Sequence, residues 1–301
     1  MRDKRALSLR VGNTKEEADL DDESGMLRMS LIEHLEELRR RILKALAGIG
    51  VAFLLSIIFT NELWRIASQP VIAALTQLGM HPTLVFTTPM EAFSTIWVKL
   101  PLLAAVFLAS PWVLYQLWAF ISPALYENER GWAAPFILCT AGLFVTGGLF
   151  AYFVAFRYGL TFLLGIGRDL SLQPMVTISE YLDLFVNMML GMGVAFELPV
   201  LLFVLTLLHI VSPSFLLRNC RYAILGLTVI AAVISPTQDV VNLALIVVPL
   251  CLLYFLGVFG SYVVVLRRER RDFPWKKVVF WLVLSVLVVG CLAVLILKTV
   301  Y

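Results

Sequence analysis

Long apolar runs alternate with short polar ones along the chain, on a scale too long for strands. Seven apolar stretches stand out, at roughly 43–60, 96–120, 132–156, 181–208, 221–235, 240–264 and 278–297. A helix crossing a hydrocarbon core of about 30 Å needs about 20 largely apolar residues, and six of the stretches approach or exceed that. The fifth is short and spans only where the bilayer thins or neighbouring helices shield its ends. No run alternates with period two, which excludes a membrane β-barrel. The expected fold class is an all-α polytopic membrane protein.

Two polar-flanked segments carry helical periodicity of their own. In MSLIEHLEELRRR, Leu31, Leu35, Leu38 and Ile42 recur at i, i+4, i+7 and i+11, the apolar stripe of an amphipathic helix. Glu33 and Glu37 share a neighbouring face, and Glu37 reaches Arg41 at i+4. Between the first two apolar runs, NELWRIASQPVIAALTQLGM predicts one or two short helices lying over the membrane face, with Pro70 as the break between them.

Composition sharpens the membrane reading. The 301 residues are 60% hydrophobic and 15% charged, against about 45–50% and 25% for soluble chains. Residues 1–27 are the exception: Glu16, Glu17, Asp19, Asp21, Asp22 and Glu23 crowd a segment with too little apolar surface to fold, so a disordered tail is expected. Cys139, Cys220, Cys251 and Cys291 lack C-x-x-C spacing and are expected to be small buried hydrophobes. His34, His81 and His209 are too scattered for a metal site, and no cofactor is expected.

Charge placement sets the orientation. One set of flanks carries Arg28, Arg39, Arg40, Arg41, Lys44, Arg130, Arg218, Arg221, Arg267, Arg268, Arg270, Arg271, Lys276 and Lys277, and the alternate set only Arg65, Lys99, Arg157, Arg168 and Lys298. Fourteen against five predicts a cytoplasmic amino terminus. With seven spans the carboxyl terminus lies outside.

Three acidic positions are candidates for chemistry. In YQLWAFISPALYENER, Trp112, Tyr115 and Trp118 read as the aromatic belt of a helix leaving the lipid, and Pro123 ends that helix. Glu127 and Glu129 follow in a short inward loop, where basic residues are the rule. Glu197 lies inside the apolar GMGVAFELPVLLF, where insertion of a charge costs about 2.5–3.5 kcal/mol. Pro199 removes a nearby backbone donor and should bend the helix, opening carbonyls that a protonated Glu197 could meet. In SPTQDVVN, Ser235, Thr237 or Asp239 reads as a helix N-cap.

Taken in order, LIEHLEELRRR, TTPMEAF, YQLWAFISPALYENER and FELPV resemble the TatC family, the core subunit of the Sec-independent, twin-arginine protein translocase. AYFVAFRYG and SPTQDVV fit as well, and the resemblance covers about 28–266. It implies a cupped bundle of six transmembrane helices with an outer cap, in the bacterial cytoplasmic (inner) membrane. The implied signal-peptide contacts are Glu37 and Glu129, with Arg39 and Phe120 shaping the site. Glu197 would meet TatA- and TatB-type single-span partners or the signal, and Pro70, Glu91 and Asp239 would serve the outer face structurally. Self-association in a receptor complex is also implied, with no nucleic-acid partner and no covalent chemistry.

The resulting layout is a tail at 1–27, a translocase core at 28–266, a basic linker at 267–277 and an additional span at 278–301. Two features depart from the family: that seventh span, and Leu243 where relatives often carry glutamine. A proton- or ion-coupled secondary transporter using Glu197 is the rival reading, although no internal repeat supports it. A topology reporter fused after Tyr301 is expected to read as external; a cytoplasmic signal removes the seventh span.

Overall fold

The computed structural model describes residues 31–121, 133–166, 175–235 and 239–268. They form α1 (Leu31–Ile58), α2 (Thr60–Gln77), α3 (Pro89–Ile121) and α4 (133–165). There follow α5 (Ile178–Ala195), α6 (Leu198–Leu207), α7 (Pro213–Arg218), α8 (Cys220–Ile234) and α9 (Val240–Arg268). Single π-helical turns at Thr95–Lys99 and Ala151–Ala155 interrupt α3 and α4. No strand occurs among the described residues beyond one isolated parallel bridge, Val85 to Thr177. The proposed tail, the linker and the seventh apolar run lie outside the described residues.

Among the described residues, five segments are long and apolar enough to cross a membrane: Ile32–Ile58, Pro89–Ile121, Ile137–Gly165, Ile178–Leu207 and Val240–Val263. The apolar α8 has 15 residues, about 22 Å of helix. α1 packs mainly on α3, α4 on α5, and α6 on α9, while α2 lies across the ends of α3 and α4.

The face α1 turns inward differs from the one its periodicity suggests. Leu35 and Ile42 are 62% and 48% exposed, whereas His34, Glu37, Leu38, Arg41, Ala45, Gly48, Ile49 and Ala52 are wholly or partly buried. The stripe rule assumes water outside. Next to lipid, apolar side chains gain nothing by turning inward, so small and polar residues take the packed face. Gly48 is required there: a Cβ would sit 2.2 Å from Trp112 Cδ1. The Trp112 indole donates to the Lys44 carbonyl across the same contact, at 2.9 Å.

Pro70 does not break α2, contrary to expectation. Its missing N–H would leave the Ile66 carbonyl open, and the Tyr152 hydroxyl of α4 donates to that oxygen at 2.9 Å. The Tyr181 hydroxyl of α5 donates to the next carbonyl, Ala67. The Tyr152 hydroxyl thus replaces the donor that the proline lacks, and Tyr181 ties the same turn to α5. Trp118 is also not a belt residue; it is 3% exposed and packs with Leu207. Cys139 is exposed and Cys220 and Cys251 are half-buried, so these three are not buried fillers.

At the end carrying α2, backbone and side chains tie the start of α3 and the segment before it to the start of α5. Val85 N–H donates to Val176 O at 3.0 Å, and Ile178 N–H to Val85 O at 2.8 Å. Thr88 and Glu91 form a reciprocal capping box at the start of α3. Thr95 and Ser179 share a hydrogen bond of 3.1 Å, and Lys99 pairs with Asp183 at 2.6 Å. Asp239 accepts from Asn242 N–H at 2.9 Å and from its side chain at 2.7 Å, capping α9.

The α5–α6 boundary is a bend at Phe196–Glu197, with Pro199 in the first turn of α6, where no donor is needed. Small residues let neighbours close on it. A Cβ on Gly147 would lie 2.5 Å from the Met192 carbonyl, and one on Gly257 would lie 2.7 Å from Pro199 Cα. Because that second clash is with backbone, no rotamer relieves it. Gly257→Ala is therefore expected to lower stability by about 1–3 kcal/mol, read as an earlier thermal unfolding in detergent. Gly50→Ala, with nothing within 4 Å of the added methyl, should be neutral or slightly stabilising. Equal behaviour of the two variants would contradict the close approach of α9 to α6.

Candidate functional site

Glu37 sits on the packed face of α1, opposite the carboxyl end of α3. Its Oε1 accepts from Arg41 Nη2 at 3.1 Å, the i+4 pair that the sequence suggests. Arg41 Nη1 makes a long contact of 3.5 Å to Gln116 Oε1 on α3. One turn back, the His34 ring stacks on Phe120, with centroids 4.5 Å apart and planes 19° from parallel. Glu33, Glu36, Glu37, Arg40, Arg41 and Lys44, all on α1, line an open groove in which only Glu37 and Arg41 are partly buried. Arg39 is exposed and is not among the residues that line it. Glu129 lies outside the described residues.

Glu197 occupies the bend between α5 and α6, half-buried. Phe196 beside it packs on Phe150 with centroids 5.6 Å apart, and Ser261 of α9 donates to the Leu202 carbonyl. The expected contact between Glu197 and carbonyls freed by Pro199 is not made. Glu197 Oε1 is buried and has no hydrogen-bond partner among the described residues. Across the bend, Phe196 and Glu197 N–H reach the Met192 and Val194 carbonyls at 2.9 and 3.0 Å.

The second oxygen of Glu37, Oε2, is the only other buried side-chain N or O atom without a partner among the described residues. An unsatisfied buried polar atom costs about 1–3 kcal/mol, and native proteins keep few of them. Both belong to carboxylates that the sequence singles out, on separate helix pairs. Pro70 is buried within α2, Glu91 belongs to the capping box of α3, and Asp239 caps α9. The sequence reading missed Gln116, whose only signal was one polar residue in the apolar run before Trp118.

Comparison with known proteins decides the family. The sequence matches the family profile described as Sec-independent protein translocase protein (TatC) over residues 33–249. The chain belongs to the TatC family. It is 42% identical over 246 residues to the Sec-independent protein translocase protein TatC of Koribacter versatilis, covering 81% of this chain and 90% of that one. The TatC of Escherichia coli K12 is 34% identical over 242 residues, covering 80% and 92%. The fold resembles two crystal structures of a twin-arginine translocase receptor, TatC. One aligns with a TM-score of 0.65 at 32% identity over 77% of this chain and 99% of the other. The second, described as in DDM, gives 0.67 at 32% identity over 76% and 99%.

TatC proteins are translocase components and not enzymes, and this member is a multi-pass membrane protein of the twin-arginine pathway. A translocase subunit can retain polar groups that do not serve its own stability. Removing the unpartnered carboxylate with Glu197→Leu is accordingly expected to leave thermal unfolding of the purified chain unchanged or later. Unfolding several degrees earlier would show that the carboxylate has a structural partner.

Proposed function

We propose that this TatC is the receptor core of its translocase, binding the Arg-Arg signal of folded cargo at the face around Glu37. The observation that carries the reading is the pairing of buried, unpartnered carboxylate oxygens at Glu37 and Glu197. An acceptor oriented by its own protein and left open is suited to an incoming donor. Arginine is the matching donor, because its planar fork makes two charge-assisted hydrogen bonds to carboxylate where lysine offers a point charge.

In this reading Glu37 and Glu129 each take one arginine, and Phe120 and Arg39 shape the surround. The signal's apolar stretch follows along the bundle to Glu197, where TatA- and TatB-type single-span subunits also dock. The chain then forms a cupped bundle of six spans, with α8 as the short fifth, α2 as part of the outer cap and the Glu37 face in the cytoplasm. It self-associates in the receptor complex of the inner membrane, and transport is driven by the proton gradient.

The test is binding of a twin-arginine signal peptide to the purified chain, against the same peptide carrying Lys-Lys. Arg-Arg is expected to bind about tenfold or more tightly, the ratio set by about 1.4 kcal/mol. Glu37→Ala and Glu129→Ala should each reduce that preference. Equal binding of both peptides, indifferent to either substitution, would remove the carboxylate clamp and bring forward an ion-coupled transporter using Glu197.

A further inference from the structure

The groove around Glu37 already contains a guanidinium. Arg41 places one prong of its fork on Glu37 Oε1 at 3.1 Å and the other towards Gln116 Oε1 at 3.5 Å. A free arginine facing a carboxylate prefers both prongs on the two oxygens. Here the fork is divided between two helices, and Glu37 Oε2 stays buried without a partner among the described residues. Gln116 is 3% exposed, and its helix is held on α1 by the Trp112–Lys44 hydrogen bond and the His34–Phe120 stack on either side of it.

We propose that Arg41 is a built-in competitor for the signal's arginine, and that Gln116 is the positioning residue that holds it half off Glu37. This rests on the receptor reading given above. With Gln116 in place, Arg41 occupies one oxygen of Glu37 and the other stays open for the incoming guanidinium. Without the amide, Arg41 closes both prongs on Glu37, and the signal has to displace it. The amide of Gln116 is neutral, which matters: it draws one prong away without adding a third carboxylate that would itself capture the signal.

The arrangement makes an unusual demand on variants. Gln116→Leu removes the second acceptor at similar length, so the Arg-Arg peptide should bind about threefold to tenfold more weakly, a step of at most about 1.4 kcal/mol. Adding Arg41→Gln to Gln116→Leu removes the competitor and should restore binding to the wild-type level or above it. A purely structural role for the α1–α3 bridge predicts the reverse, since the double variant loses both halves of the bridge.

The experiment measures affinities of the full-length purified chain for Arg-Arg and Lys-Lys signal peptides, in wild type, Gln116→Leu, Arg41→Gln and the double variant. Thermal unfolding of each is recorded alongside. Weakening by Gln116→Leu together with recovery in the double variant supports the proposal. Should Gln116→Leu fail to fold, Arg41→Gln alone decides: tighter Arg-Arg binding supports the competitor, and unchanged or weaker binding overturns it. If the wild type prefers Arg-Arg and Glu37→Ala abolishes that preference, but Gln116→Leu leaves it intact or the double variant binds worst, this inference fails and the receptor reading stands. If the wild type shows no Arg-Arg preference, the receptor reading itself fails.

Discussion

Inside a bilayer no water waits to satisfy an open carbonyl, so a helix that loses a donor must find another within the protein. In this chain, side-chain donors that reach backbone carbonyls also join one helix to the next. Tyr152 donates to Ile66, Tyr181 to Ala67, Trp112 to Lys44, Tyr254 to Leu216 and Ser261 to Leu202, each a side chain of one helix reaching the backbone of another. The Tyr152 contact makes Pro70 tolerable inside α2, and the Trp112 contact fixes α1 on α3 beside Gly48. With donors meeting carbonyls so widely, the two carboxylate oxygens left open at Glu37 and Glu197 become informative.

Those two positions differ in how they are held. Glu37 stands on a helix face whose rotation is set by the inverted polarity of α1, with apolar Leu35 and Ile42 outward and His34, Glu37 and Arg41 inward. Glu197 stands at a backbone bend, gripped by small residues on α4 and α9 that allow Met192 and Pro199 to approach closely. Neither carboxylate is supported by a full set of donors. On the proposed reading both are kept for a transient visitor, at some loss of stability to the empty protein.

Much of the fold could be read from hydropathy alone, because run length is a direct consequence of bilayer thickness. The long runs ending α1 and forming α3, α4, α5–α6 and α9 appear close to where the apolar residues place them, and of the three cap candidates Ser235, Thr237 and Asp239 it is Asp239 that caps α9. What escaped the sequence were properties that depend on which helix lies alongside. Pro70 reads as a break until Tyr152 is known to face it. Trp118 reads as an interfacial anchor until Leu207 is seen to bury it. Leu35 and Ile42 read as a core stripe only if the outside is taken to be water. For the candidate site, Glu37 and Arg41 are visible as an i+4 pair, but Gln116 is not, since its partner lies 75 residues away.

The most direct measurement is light-driven cross-linking of a bound twin-arginine signal peptide to a photoreactive side chain placed at position 40 or at position 42 of α1. Arg40 lines the groove with Glu37, whereas Ile42 lies on the outward apolar face. A receptor face at Glu37 predicts strong labelling at 40, little at 42, and loss of the labelling at 40 when the peptide carries Lys-Lys. Equal labelling at the two positions, or labelling indifferent to the arginines, would contradict it.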